Sequence, residues 1–112
     1  MTPTARSLRV LRQRGATPAV VERRLPRGFV TQDLYGFIDL VALEPGQVGL
    51  LGVQTTSGAN VAARLTKIAQ EPRAALWLAC GNRIVVHGWR RAGPRGKRKT
   101  WQLRELVVTG AE

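Results

Sequence analysis

Residues 36–58, GFIDLVALEPGQVGLLGVQTTSG, specify the centre of the fold, because they contain two apolar runs joined by a turn. The runs, residues 35–43 and 48–56, are rich in Val, Ile, Leu and Phe, which favour strands. The segment between them, residues 44–47, reads EPGQ and supplies the proline and glycine of a turn. The stretch therefore predicts a hairpin of two antiparallel strands.

Each of these two strands carries a polar group that an apolar core does not accommodate alone. Asp39 lies within the first run and Gln54 lies near the end of the second. Side chains alternate along a strand, so the hairpin can project Asp39 and Gln54 together near its far end. An isolated buried carboxylate is costly, so Asp39 must be paired, solvated or bound to a cation. Mg²⁺ suits such a place because it takes oxygen ligands and keeps several waters.

The charge of the chain is its most informative total. The 112 residues fit one domain, and 18 Lys and Arg face 7 Asp and Glu, which gives a net charge of +11. Such a field attracts polyanions and makes their binding dependent on salt. We therefore predict a nucleic acid as the partner, although charge alone does not discriminate DNA from RNA. The alternatives are a basic protein that is merely soluble and one that lies on anionic lipid.

The sequence also argues against a membrane or secreted setting. No apolar run approaches the roughly 20 residues that a membrane helix needs. Residues 1–15 are basic and lack the apolar centre of a secretory signal. Cys80 is the only cysteine, so no internal disulfide can form. These features predict a cytoplasmic protein without a membrane partner.

Hydrophobic periodicity predicts one α/β domain over residues 1–112, with a frayed tail at 109–112. The order is helix, three strands, two helices, two strands, which predicts a mixed β-sheet flanked by helices. The predicted helices cover residues 4–14, 60–70 and 72–79, and the predicted strands cover 18–25, 35–43, 48–56, 83–89 and 100–108.

Residues 4–70 carry a resemblance to a known family. A helix, a hairpin with Asp39 on one strand, and a following helix resemble the core of PD-(D/E)xK nucleases. Within it, GFIDLVAL followed by LLGVQTTSGANVAARLTKI is similar to the small resolvase-type and VRR-NUC-like nucleases often encoded by phages and prophages. The resemblance implies a restriction-endonuclease-like core and an endonuclease that cleaves DNA with Mg²⁺ or Mn²⁺. Related resolvases are commonly dimers, so it leaves a homodimer open.

The resemblance also implies roles for single residues. Asp39 matches the metal-binding Asp, while Gln54 stands at the position of the second acidic ligand and Thr56 at that of the lysine. Both are departures: Gln54 can still ligate through its side-chain oxygen but brings no charge, and Thr56 supplies no cation. Lys67, on the following helix, is the candidate for a migrated catalytic lysine.

The remaining acidic group must come from outside the first helix, which has none. Glu22 or Asp33 would serve, as a catalytic carboxylate or as a metal ligand. Each candidate also has a structural interpretation. Asp39 would cap a turn or pair with an arginine, and Gln54 would be a polar residue on a half-solvated strand face. Glu22 would form a surface ion pair, Asp33 would be a turn residue, and Lys67 would be a solvated helix residue. The corresponding alternative function is a catalytically inactive nuclease-fold module that binds nucleic acid.

Two basic segments form the predicted nucleic-acid surface. Residues 90–99, RRAGPRGKRK, carry six positive charges between Trp89 and Trp101, and arginines also line the first helix. Basic side chains of this kind position a phosphate backbone, and exposed tryptophans would stack on bases. The predicted contacts are Arg6, Arg9, Arg12, Arg64, Arg90, Arg91, Arg95, Lys97, Arg98 and Lys99.

Overall fold

Three α-helices, one 3-10 helix at Gly58–Asn60 and seven strands form in residues 1–28 and 30–110, the part of the chain that the computed structural model describes. Their bounds are α1 Pro3–Gln13, β1 Thr17–Val20, β2 Arg23–Arg24, β3 Thr31–Gln32, β4 Leu40–Leu43, β5 Leu51–Ser57, α2 Val61–Ala69, α3 Pro72–Ala79, β6 Arg83–Ala92 and β7 Thr100–Val108. The predicted α/β class with a mixed sheet is confirmed. Of the predicted frayed tail, residues 109–110 follow β7 without regular structure, and residues 111–112 lie outside the described part.

The main sheet has five strands in the order β1-β4-β5-β6-β7. All neighbours are antiparallel except β5 and β6, which are parallel. A parallel pair needs a crossover connection, and α2 and α3 provide it here. The short strands β2 and β3 pair separately as a two-stranded antiparallel sheet.

Helices cover both faces of the sheet, because the strands alternate apolar side chains between the two sides. Helix α1 packs on one face, and α2 with α3 packs on the other. The core on the α1 side contains Leu11, Ala16, Leu40, Ala42, Leu51, Val53 and Val85. The core on the other side contains Phe37, Ile38, Val61, Ile68, Ala74, Ile84 and Val86. None of the described helices is long and apolar enough to cross a membrane.

The hairpin strands are shorter than predicted, because glycines turn the chain near their ends. The first strand begins at Leu40 and not at residue 35, since Tyr35 and Gly36 adopt positive φ angles of 54° and 79°. The second strand begins at Leu51, because Gly49 has a φ of 78° and approaches the end of α3 closely. A Cβ atom on Gly49 would lie 2.0 Å from the carbonyl oxygen of Gly81.

The predicted strand over residues 18–25 is also divided. Its first part is β1, which pairs with β4, whereas Arg23 and Arg24 turn away as β2 and pair with β3. Asp39 holds the chain at this division, because its backbone oxygen accepts hydrogen bonds from the Val21 and Glu22 backbone nitrogens at 2.9 and 3.2 Å. The division places Glu22 beside the start of β4.

A buried polar network ties α1 to β6 and β7. Trp89 Nε1 donates to Ser7 Oγ at 2.9 Å, so the Ser7 hydroxyl donates to His87 Nδ1 at 2.8 Å. His87 Nε2 then donates to Glu105 Oε2 at 2.7 Å, and Arg14 Nη1 donates to the same oxygen at 2.8 Å. Burial lowers the pKa of His87, which favours this neutral tautomer. The network fixes the position of α1 over the sheet.

Gly88 lets α2 pack closely on β6, and Gly88→Ala is expected to destabilise the protein. A Cβ atom there would lie 2.3 Å from Val61 Cγ2, so the helix or the strand must shift. Such overpacking costs about 2 kcal/mol of unfolding free energy, which urea denaturation measures. Val61→Ala removes the opposing methyl groups, so the double variant is expected to lose less stability than the sum of the two single variants. Additive losses would show that this contact is not the cause.

Candidate metal centre

Three carboxylates from separate segments meet at the start of β4. The carboxylate oxygens of Glu22, Asp33 and Asp39 lie within 4.8 Å of one another. Glu22 follows β1, Asp33 follows β3, and Asp39 directly precedes β4. The sequence left open whether Glu22 or Asp33 accompanies Asp39, and the fold brings both to it.

Asp39 occupies the centre of this cluster and is almost fully buried, with 3% of its surface exposed. Its backbone nitrogen donates to the Val53 backbone oxygen at 2.9 Å, which extends the hairpin by one residue. Its Oδ2 accepts hydrogen bonds from the Thr55 backbone nitrogen at 2.7 Å and from Thr55 Oγ1 at 3.1 Å. The same oxygen accepts a third hydrogen bond, from Gln54 Nε2, at 2.8 Å.

The surroundings raise the pKa of Asp39 to about 8. Burial is the largest cause, and a hydrogen bond with Asp33 and repulsion from Asp33 and Glu22 add to it. The hydrogen bond from the Thr55 backbone nitrogen acts in the opposite direction. Two ionised groups at this separation repel by about 3 kcal/mol at an effective dielectric constant of about 20. The three carboxylates therefore favour a proton or a cation among them.

Gln54 lies opposite Asp39 and is buried, with 2% of its surface exposed. Its Nε2 donates to Asp39 Oδ2 and, at 3.3 Å, to Asp33 Oδ2. Its Oε1 is buried and has no hydrogen-bond partner among the described residues. The sequence predicted the oxygen as a metal ligand, whereas here the nitrogen faces the carboxylates. Rotation of the amide by half a turn would exchange the two atoms.

Two cationic side chains of α2 border the cluster. Lys67 Nζ lies 3.8 Å from Asp33 Oδ2, so the helix does bring the predicted lysine to the carboxylates. Arg64 was predicted only as a nucleic-acid contact, and it lines the cavity that opens onto the acids. This cavity has a volume of about 210 Å³ and is also lined by Thr4, Thr31 and Thr55.

Sequence patterns did not reveal two threonines of the site. Thr55, and not Thr56, contacts Asp39 among the described residues. Thr4 Oγ1 lies 2.9 Å from Thr55 Oγ1 and donates to Glu22 Oε1 at 3.2 Å, which joins the start of α1 to the cluster. A threonine near a helix start has no pattern that distinguishes it from an ordinary cap residue, so only the packing of α1 identifies it.

The donor set fits a hard divalent cation such as Mg²⁺ or Mn²⁺. Three carboxylates supply oxygen ligands, and the partnerless Gln54 Oε1 is a fourth oxygen that the amide rotation would turn toward them. In the orientation that the structure shows, the Gln54 nitrogen bridges Asp39 and Asp33. The neutral amide can therefore contact the carboxylates directly or, after rotation, offer its oxygen to a cation that they hold.

Most of the other predicted nucleic-acid contacts lie on exposed surface. The side chains of Arg9, Arg12, Arg90, Arg91, Arg95, Lys97, Arg98 and Lys99 are exposed. Arg6 is partly buried, with its guanidinium carbon 3.9 Å from the ring centroid of Trp101. Trp101 is 44% exposed, whereas Trp89 is buried.

No family model, curated protein or solved structure matches this chain. The candidate site therefore stands on its own geometry: three converging carboxylates, a buried amide and a neighbouring lysine.

Proposed function

We propose that the protein is a metal-dependent endonuclease that cleaves phosphodiester bonds of DNA. The convergence of Glu22, Asp33 and Asp39 within 4.8 Å, next to Gln54 and Lys67, carries this proposal. The net charge of +11 supports a polyanionic substrate. A nucleic-acid substrate and a single, exposed cysteine suit the cytoplasm, which is the proposed location. A homodimer remains a prediction from the resemblance.

The position of each residue in the site indicates its proposed role. Asp39, Glu22 and Asp33 would hold Mg²⁺ or Mn²⁺, with the Gln54 side-chain oxygen as a neutral ligand. The cation, when bound, supplies Lewis-acid stabilisation of the charge that develops on the phosphodiester. Lys67, at the rim of the acid cluster, orients the attacking water or offsets that charge. Arg64, in the wall of the cavity, holds the phosphate at the opening.

One observation favours a second candidate, an inactive module that binds nucleic acid. The Gln54 amide donates to two of the carboxylates, Asp39 and Asp33, and such hydrogen bonds can hold the cluster together by themselves. In that case the protein would bind DNA with strong salt dependence and cleave no substrate.

Cleavage of plasmid, linear and branched DNA with Mg²⁺, Mn²⁺ or EDTA tests the proposal. We expect cleavage only with metal, and Lys67→Met is expected to lower the rate at saturating DNA about 10-fold. Lys99→Met is the matched control. It removes the same charge from the exposed basic segment of residues 90–99, outside the acid cluster, and is expected to change DNA affinity alone. Salt-dependent binding without cleavage by the folded protein would establish the inactive module instead.

A further inference from the structure

The hairpin of β6 and β7 extends beyond the rest of the sheet. Strand β6 pairs with β5 only as far as the pair of Ser57 with Trp89, whereas it pairs with β7 as far as Ala92 with Thr100. Residues 90–102 therefore form a projecting two-stranded arm with a loop at its tip, which we call the basic arm.

The basic arm carries positive charge that no described acidic residue neutralises. All six of its cations are exposed, and among the described residues none of them forms an ion pair: Arg90, Arg91, Arg95, Lys97, Arg98 and Lys99. Residues 90–104 contain no acidic residue. A protrusion with this charge is complementary to a phosphate backbone.

Trp101 gives the basic arm an aromatic surface. It is 44% exposed, unlike Trp89, which is 7% exposed and hydrogen-bonded to Ser7. The guanidinium of Arg6 lies over the indole at 3.9 Å from the ring centroid, and this cation–π contact fixes the ring against α1. An indole held in this way is a rigid platform with accessible surface.

The start of α1 connects this platform to the acid cluster. Arg6 contacts Trp101, and Thr4, two residues earlier, is hydrogen-bonded to Glu22 and close to Thr55. Residues two apart in a helix are separated by about 3 Å along its axis. Helix α1 therefore contacts both the Trp101 platform and the acid cluster through its first turn.

We propose that the basic arm binds an unpaired nucleic-acid strand, with Trp101 stacking on one of its bases. This inference rests on the proposed function and specifies its substrate as a strand with an unpaired segment. Bases in a duplex are already stacked on each other, so an indole gains a stacking partner only from an unpaired base. The cations of the arm hold the flanking phosphates without reading sequence.

Binding in EDTA tests this inference separately from cleavage. The probes are fluorescently labelled 20-nucleotide strands of dT and rU and a 20-base-pair duplex, measured by anisotropy. We expect Trp101→Ala to weaken binding of the single strands about 10-fold and to change duplex binding less than 2-fold. Trp101→Phe is expected to retain most of the affinity. Val107→Ala, which shortens another exposed apolar side chain of β7, is the matched control and is expected to change neither.

A measurement on the unmodified protein gives a second readout. Trp89 is buried and Trp77 is partly buried, with its Nε1 bonded to the Arg83 backbone oxygen, so stacking should quench mainly the emission of Trp101. We expect the single strands to quench this emission and the duplex to leave it unchanged. Equal effects of Trp101→Ala on single strands and duplex, or no quenching by either strand, would overturn the inference. If the protein binds single strands selectively but cleaves no DNA, the proposed reaction is overturned and the inference about strand binding stands.

Discussion

Asp39→Asn is expected to abolish metal-dependent cleavage and to stabilise the metal-free protein at pH 8. The loss in activity is expected to be about 1,000-fold or more, because the variant removes the central carboxylate of the proposed metal site. The gain in unfolding free energy is expected to be about 2 kcal/mol. Such opposite changes in activity and unfolding free energy are typical of a functional group that destabilises the folded protein.

The pH dependence of the gain follows from the raised pKa of Asp39. In the folded protein this pKa is about 8, compared with the ordinary value of 3.8 for an aspartate. The folded state therefore holds a proton that the unfolded chain releases between these values, and stability falls as pH rises through this window. In the variant, the amide oxygen would keep the hydrogen bonds from Thr55 and the amide nitrogen would donate to Asp33 without a charge. The gain should thus be largest at pH 8 and small near pH 4.

Urea denaturation in EDTA at pH 4.5 and pH 8 measures this effect. Glu44→Gln is the matched control, because Glu44 is paired with Arg83 far from the cluster. We expect this control to cleave DNA as the unmodified protein does and to show no gain at pH 8. Normal DNA cleavage by Asp39→Asn would show that Asp39 is not part of the active site. Equal unfolding free energies of this variant and the unmodified protein at pH 8 would show that burial of the Asp39 charge does not destabilise the fold.

Gln54→Glu is expected to strengthen Mn²⁺ binding about 100-fold while it destabilises the metal-free protein. The variant places a fourth carboxylate against Asp39 and Asp33. In a poorly solvated site, a divalent cation is attracted more strongly by the added charge, and the carboxylates also repel one another more strongly. The variant also removes the Nε2 donor that bridges Asp39 and Asp33. The protein should therefore become dependent on metal for its stability.

Calorimetric titration with Mn²⁺ and thermal denaturation with and without metal measure the two effects. Gln47→Glu adds the same charge in an exposed loop and is expected to change neither. Gln54→Met keeps a similar volume and removes both polar atoms, so it is expected to weaken Mn²⁺ binding. Unchanged Mn²⁺ affinity in Gln54→Glu would show that this side chain does not face a bound cation.

Local patterns located the helices and the two last strands, although β6 continues to Ala92, three residues beyond its predicted end and into the segment predicted as a loop. Helix α3 has the predicted bounds, and α2 differs from the prediction by one residue at each end, because apolar spacing and Pro72 mark them locally. The hairpin was predicted with its strands too long. Its strands begin only after Gly36 and Gly49, which adopt positive φ angles, and the need for the second glycine comes from the close approach of Gly81.

The candidate site shows the same division. Alternation along the hairpin placed Asp39 and Gln54 together, and helical spacing offered Lys67 as a neighbour. The sequence pattern could not choose between Glu22 and Asp33 as the acid that accompanies Asp39. The approach of both residues to Asp39 depends on the small β2–β3 sheet, whose two-residue strands have no periodic signal. Tertiary contacts supply both acids.

Composition and periods of two and 3.6 residues were enough to establish the α/β class, the hairpin and the excess of positive charge. Packing in three dimensions was needed to bring Glu22 and Asp33 to Asp39, to close the cluster with Thr4 of α1, and to stack Arg6 on Trp101. These contacts join residues far apart in the chain, and their geometry depends on how α1 and the sheet pack together.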